Sequence, residues 1–169
     1  MERLWAPWRS QYVESAGDST DCFLCTEPQS SSDMEALILW RSLRTFVILN
    51  RFPYNSGHLL IAPYRHVKDF EQLTNEELLD LGQQVQRMVV VLKEVLKPQA
   101  FNIGLNLGAP AGAGLPGHLH VHIVPRWQGD TNFMPVTADT KVISEGLLDT
   151  WSKLRNYIDH HRQEIRADL

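Results

Sequence analysis

The segment His118-Leu-His-Val-His-Ile-Val124 constrains the fold of this chain more than any other. Side chains of an extended strand alternate between two faces. Read as a strand, the segment sets His118, His120 and His122 on one face and Leu119, Val121 and Ile123 on the other. Such a strand needs a sheet with an apolar face on a core and a polar face turned to a cleft. Neighbouring imidazoles would stand roughly 6.5–7 Å apart, a row able to hold a phosphate chain. Seven histidines in 169 residues would yield roughly 0.01 triplets of this spacing by chance.

The remaining pattern supplies that sheet. Leu37–Trp40, Thr45–Leu49 and His58–Ala62 read as strands, with residues 41–44 and the Pro53, Asn55, Gly57 segment as turns. Thr74-Asn-Glu-Glu77 is a capping box. Leu78, Leu81, Val85, Met88, Val89, Leu92, Val95 and Leu96 follow at helical spacing, and Pro98 stops the helix. Phe101–Leu107 alternates, which predicts a strand with one buried face. Residues 108–117 form a Gly/Pro-rich loop, and Val142–Ile158 carries a second helical stripe. The expected class is α+β: a mainly antiparallel sheet, one long covering helix and a C-terminal helix. A single domain over residues 1–169 is expected. It has an N-terminal arm at 1–20 bearing Trp5 and Trp8, a core at 20–127 and a helical extension at 138–169.

Composition narrows the function. A formal net charge of −4 argues against broad nucleic-acid binding. No apolar run approaches the roughly 20 residues of a membrane span. The N-terminal residues lack a signal-peptide core, so a cytoplasmic protein is expected. Both cysteines lie in Cys22-Phe-Leu-Cys25, leaving a metal hook, a redox pair or chance. Redox chemistry wants a helix N-terminus beside the thiol, and the following Thr-Glu-Pro-Gln-Ser reads as loop. His160 and His161 fall in a polar tail.

Neutral imidazole is a nucleophile near neutral pH without activation. Attack on phosphorus needs donors at the non-bridging oxygens. A flanking imidazole and the backbone of Gly112-Ala-Gly114 can supply them. Three alternating strand histidines could also ligate a catalytic metal, and a nucleotide-binding module without catalysis is a further class.

The motif His-Leu-His-Val-His-Ile-Val resembles the signature of the histidine triad family. So does Phe46-Val-Ile-Leu-Asn50 through Gly57-His58-Leu-Leu-Ile-Ala-Pro63. The resemblance covers roughly residues 20–127. It implies a HIT-like fold and a homodimer whose sheet continues across the interface. It also implies His120 as a nucleophile that becomes nucleotidylated, with His122 at the α-phosphate, Asn50 at the ribose hydroxyls and Asn106 near the phosphates. His58 matches a family histidine. Hydrolytic members carry Gln four residues before the first triad histidine, where this chain has Gly114.

With Leu4-Trp5-Ala-Pro-Trp8-Arg9 and Pro125-Arg126-Trp127-Gln-Gly129-Asp130, that departure resembles the diadenosine tetraphosphate phosphorylase branch. The implied reaction is phosphorolysis to ADP and ATP, with adenine nucleotides and inorganic phosphate as ligands. Hydrolysis of dinucleoside polyphosphates or nucleoside phosphoramidates is the alternative. Arg126 or a backbone amide would help hold the anion. The related uridylyltransferases imply one more site. There a C-x-x-C joins two histidines, matched here by Cys22, Cys25, His66 and His118 around a structural zinc.

Overall fold

The computed structural model describes residues 22–131, 143 and 145–167. The N-terminal arm therefore lies outside the described residues. The elements are α1 (Phe23–Thr26), β1 (Ile38–Arg41), β2 (Thr45–Leu49), β3 (Leu59–Pro63), α2 (Asn75–Leu96), β4 (Ala100–Leu105), β5 (Val121–Arg126), α3 (Leu147–His160) and α4 (Arg162–Ala167). The five strands form one sheet in the order β1-β2-β3-β5-β4, and every neighbouring pair is antiparallel. The fold is α+β, as the strand and helix pattern predicted.

Helix α2 begins where its capping box places it. Thr74 Oγ1 accepts from the Glu77 amide, and the Glu77 carboxylate accepts from the Thr74 amide. Lys97 ends the helix at φ 50°, just before Pro98. Met88, Val91 and Leu92 are fully buried, and the helix lies over β2, β3 and β5. Asp80 pins the β1–β2 hairpin to this helix. It accepts from Ser42 Oγ, the Arg44 amide, Thr45 Oγ1 and Gln84 Nε2. Burial alone would raise the Asp80 carboxyl, but these donors outweigh it and hold it below the usual range.

Four expectations need correction. Strand β4 ends at Leu105 and buries its apolar face only in part: Phe101 and Leu105 pack against the core, but Ile103 is 47% exposed and Leu107, beyond the strand, 52%. This strand is the sheet edge, beyond the strands that α2 covers. The ordered strand β5 starts at Val121 rather than His118, because the His118 and Leu119 amides donate outside the ladder, to the Leu115 and Val67 carbonyls. Helix α3 starts at Leu147 rather than Val142, with Gly146 as its N-cap. Cys22 is followed by one helical turn, not loop. Gly57 closes the turn into β3 at φ 75°, where an added methyl would come within 2.4 Å of Leu96 Cδ1. The positive φ is what favours glycine here, since the Leu96 side chain could shift.

Candidate functional site

The topology puts the histidine segment at the middle of the sheet. On β5, His122 lies between Leu60 of β3 and Gly104 of β4. Leu119, Val121 and Ile123 are buried as the alternation predicted. The three rings do not form one even row. His120 and His122 stand edge to face with centroids 4.8 Å apart. The ring of His118 meets His66 instead, at 5.0 Å.

Hydrogen bonds fix the tautomer of each ring. A carbonyl can only accept. His120 Nδ1 lies 2.8 Å from the His118 carbonyl, so Nδ1 carries the proton and Nε2 keeps its lone pair. The Tyr54 amide donates to His58 Nδ1 at 3.1 Å. His58 Nε2–H must then donate to His122 Nδ1, 2.9 Å away. This leaves the proton of His122 on Nε2, a buried atom with no protein partner. One imidazole therefore presents a lone pair and its neighbour presents an N–H. That pairing suits attack on an electrophile whose oxygen needs a donor.

Burial lowers all four ring pKa values. His58 is pushed down to about 3, by burial first and then by the nearby His122 and His120. Burial, then His120, brings His122 to about 4. For His118 burial gives about 4, against the raising effect of its bond to the Pro63 carbonyl. His120 is lowered by burial, partly offset by its bond to the His118 carbonyl. All four are neutral at pH 7.

Neutral burial has a cost in acid. Unfolding releases His58 and His122 to an ordinary pKa near 6.5, where they take up protons. The stability they allow is full above pH 6.5 and is lost as pH falls toward 4 and 3. Between pH 7.5 and 5 the chain should lose about 2–4 kcal/mol, read as a lower urea midpoint. An unchanged midpoint at pH 5 would contradict this reading of the two rings.

A cleft of about 420 Å³ opens beside His122, between Tyr54, Asn102, Gly104, Asn106 and Arg126. His120 does not line it. Asn50 is 9% exposed and turned inward, with Nδ2 3.3 Å from His58 Nδ1 and Oδ1 accepting from the Phe52 amide. Asn106 donates to the Gly112 carbonyl at 3.3 Å, tying the glycine loop to β4. Gly112 takes φ 93°, which suits glycine; Gly114 lies in the same loop.

Arg126, expected to help hold the anion, is not an unpaired cation. Its Nε and one Nη hold Asp130 at 2.6 and 2.9 Å, and the other Nη donates to Asn102 Oδ1 at 2.7 Å. Arg126, the Asn55 side chain and the Trp127 amide together hold the Asp130 carboxyl well below the usual range. Sequence reasoning missed Tyr54, Asn55 and Asn102. No local pattern marks them, because they reach the cleft through turn and edge-strand geometry.

A second cluster joins Cys22, Cys25, His66 and His118, whose ligand atoms all lie within 4.8 Å of one another. The Sγ of Cys22 is 3.2 Å from His118 Nδ1, and that of Cys25 is 3.2 Å from His66 Nδ1 and 3.4 Å from His118 Nδ1. Bond lengths of about 2.3 and 2.0 Å at a tetrahedral zinc imply S···N edges of about 3.6 Å. The three S···N separations are within about 0.4 Å of that edge. His118 Nε2–H donates to the Pro63 carbonyl at 2.9 Å, which leaves Nδ1 free to ligate. Burial, followed by the neighbouring Cys22 thiol, pushes Cys25 up to about 11. A cation would reverse that. Among the described residues this is the one grouping of three or more such side chains able to hold a metal. His118, His120 and His122 do not form another.

Comparison with known proteins gives these sites a context. The sequence is 41% identical over 157 residues to an AP-4-A phosphorylase of Mycobacterium tuberculosis, across 89% of this chain and 80% of that protein. It is 37% identical over 93 residues to an asymmetrical bis(5'-nucleosyl)-tetraphosphatase of Schizosaccharomyces pombe, across 55% of this chain and 50% of that one. The fold is similar to a zinc-bound histidine triad family protein from Mycobacterium smegmatis, with a TM-score of 0.66 at 21% identity over 84% and 95% of the two chains. It also matches about half of a uridylyltransferase, with a TM-score of 0.69 at 16% identity over 93% and 53% of the two chains. These two likenesses are of fold alone. The family pattern described as HIT domain matches residues 23–129, the span that carries the histidine pair and, apart from Cys22, the cysteine cluster, and the chain belongs to that family.

Proposed function

We propose that this chain is a nucleotidyltransferase that cleaves diadenosine tetraphosphate through a nucleotidyl-histidine, with inorganic phosphate as the second-step acceptor. The observation that carries the reading is the His120 tautomer: Nδ1–H bonds the His118 carbonyl, and Nε2 keeps a lone pair. In the first step Nε2 attacks the α-phosphorus. The bond from phosphorus to its bridging oxygen breaks, and ATP departs with the electron pair. The His122 Nε2–H donates to a non-bridging oxygen as charge builds there. A phosphate oxygen then attacks the same phosphorus, the P–N bond breaks, and ADP leaves with His120 restored. Asn50 would turn outward to meet the ribose. Asn106, Gly112 and Gly114 would border the phosphates.

The 41% identity to an AP-4-A phosphorylase supports phosphate as acceptor. Gly114 offers it room where hydrolytic members carry Gln. Cys22, Cys25, His66 and His118 would hold a zinc with a closed shell, stabilising the segment before β5 rather than touching substrate. The exposed Ile103 on edge strand β4, and Leu107 just beyond it, suit a homodimer in which the sheet continues. We place the whole in one domain and in the cytoplasm, with no nucleic-acid partner. No helix among the described residues is long and apolar enough to cross a membrane.

The acceptor is decided by products. Incubated with diadenosine tetraphosphate, the protein should form ADP and ATP in equal amounts only when phosphate is present. AMP and ATP in equal amounts, whether or not phosphate is added, would make water the acceptor.

A further inference from the structure

The cleft beside His122 continues along β5 as far as Arg126, four residues on and so about 13 Å away. Its floor next to His122 is Gly104. That glycine is not among those with positive φ, and an added Cβ would meet nothing within 4 Å. Neither backbone conformation nor crowding requires glycine there. Glycine inside a strand weakens it and often marks close approach by a ligand or another backbone.

The far end of the cleft offers donors. Arg126 donates to Asn102 Oδ1, which leaves both Nδ2 hydrogens of Asn102 uncommitted. Three of the five guanidinium N–H groups are engaged by Asp130 and Asn102, so two remain. The Asp130 carboxylate is taken up by Arg126, Asn55 and the Trp127 amide. A run of donors with no free carboxylate suits phosphate oxygens. The cleft volume is within the range of ligand sites, about 300–1,000 Å³.

We infer that this distal cleft binds the phosphate chain of the departing nucleotide, with Asn102 and Arg126 as its donors and Gly104 keeping the path open. The inference rests on the nucleotidyl-transfer reading above. When the bond at the α-phosphorus breaks, the electron pair goes to the departing chain, and donors along the cleft hold that chain in place. Arg126 is neutralised by Asp130, so recognition is by direction more than by net charge.

Asn102→Asp tests this. It keeps the acceptor for Arg126 and replaces the donor with a carboxylate. Gly104→Val fills the floor. For each variant, kcat/KM for diadenosine tetraphosphate is divided by kcat/KM for adenosine 5′-phosphorimidazolide, whose leaving group is small. The ratio should fall about tenfold in both, while the Gly104→Val thermal midpoint stays at or above wild type. An unchanged ratio in Asn102→Asp would overturn the subsite and leave the proposed reaction standing. If the wild-type protein cleaved neither substrate, the reaction itself would fall, and the subsite with it.

Discussion

Replacing His120 by Asn should lower turnover of diadenosine tetraphosphate by about 10⁴-fold or more, with KM little changed. Asn is the informative choice because its Nδ2–H can still reach the His118 carbonyl that now accepts from His120 Nδ1. The buried carbonyl keeps a partner and the fold is spared. What disappears is the lone pair on Nε2, the only atom in the pair suited to attack. His122 has its proton on Nε2, since His58 Nε2–H occupies its Nδ1 at 2.9 Å. It cannot substitute as nucleophile without reversing the chain that begins at the Tyr54 amide. Loss of the His122 donor alone should cost less, about 10²–10³-fold. With substrate labelled at the α-phosphate, acid-quenched wild-type protein should carry label and His120→Asn should carry none. Full turnover in His120→Asn, or label retained on that variant, would remove His120 from the chemistry.

Much of this arrangement was legible because it depends on local periodicity. The Thr74–Glu77 box located the start of α2, and Pro98 its end. Alternation about Leu119, Val121 and Ile123 placed the histidines on the face opposite the core. The limits are as physical as the successes. Alternation marks extended chain, and extended chain need not be ladder. The Leu119 amide bonds the Val67 carbonyl, so the strand proper begins only at Val121. Nor does alternation say which strand is an edge, and hence that Ile103 would stand exposed. The His58–His122 contact spans 64 residues and the Asn55–Asp130 contact 75. Both follow from the pairing of β3 with β5, which no local pattern encodes. The cysteine cluster is intermediate. Cys22-Phe-Leu-Cys25 marks half of it, and only resemblance supplied His66 and His118 before topology brought them together.

Stripping metal from the cysteine–histidine cluster should cost the protein more than about 4 kcal/mol, or roughly 8–16 °C in thermal midpoint for a chain of this size. Protein purified without added zinc should hold one zinc per chain, and a strong chelator should remove it with that loss of stability. Cys25→Ser should reproduce the loss, because a hydroxyl does not replace a thiolate ligand. The effect should extend to activity by a definite route. His118 holds the Pro63 carbonyl through Nε2 and the cysteines through Nδ1, while its own carbonyl accepts from His120 Nδ1. Releasing the His118 ring loosens the carbonyl that fixes the tautomer of His120. The metal-free protein should thus lose kcat at temperatures well below its lowered midpoint, and zinc should restore it. With four protein ligands closing the shell of a bound zinc, as proposed, added substrate should leave zinc affinity nearly unchanged, unlike a catalytic metal with an open position. A zinc content near zero in active protein would refute the site. Tight substrate-dependent zinc binding would instead make the metal part of the reaction.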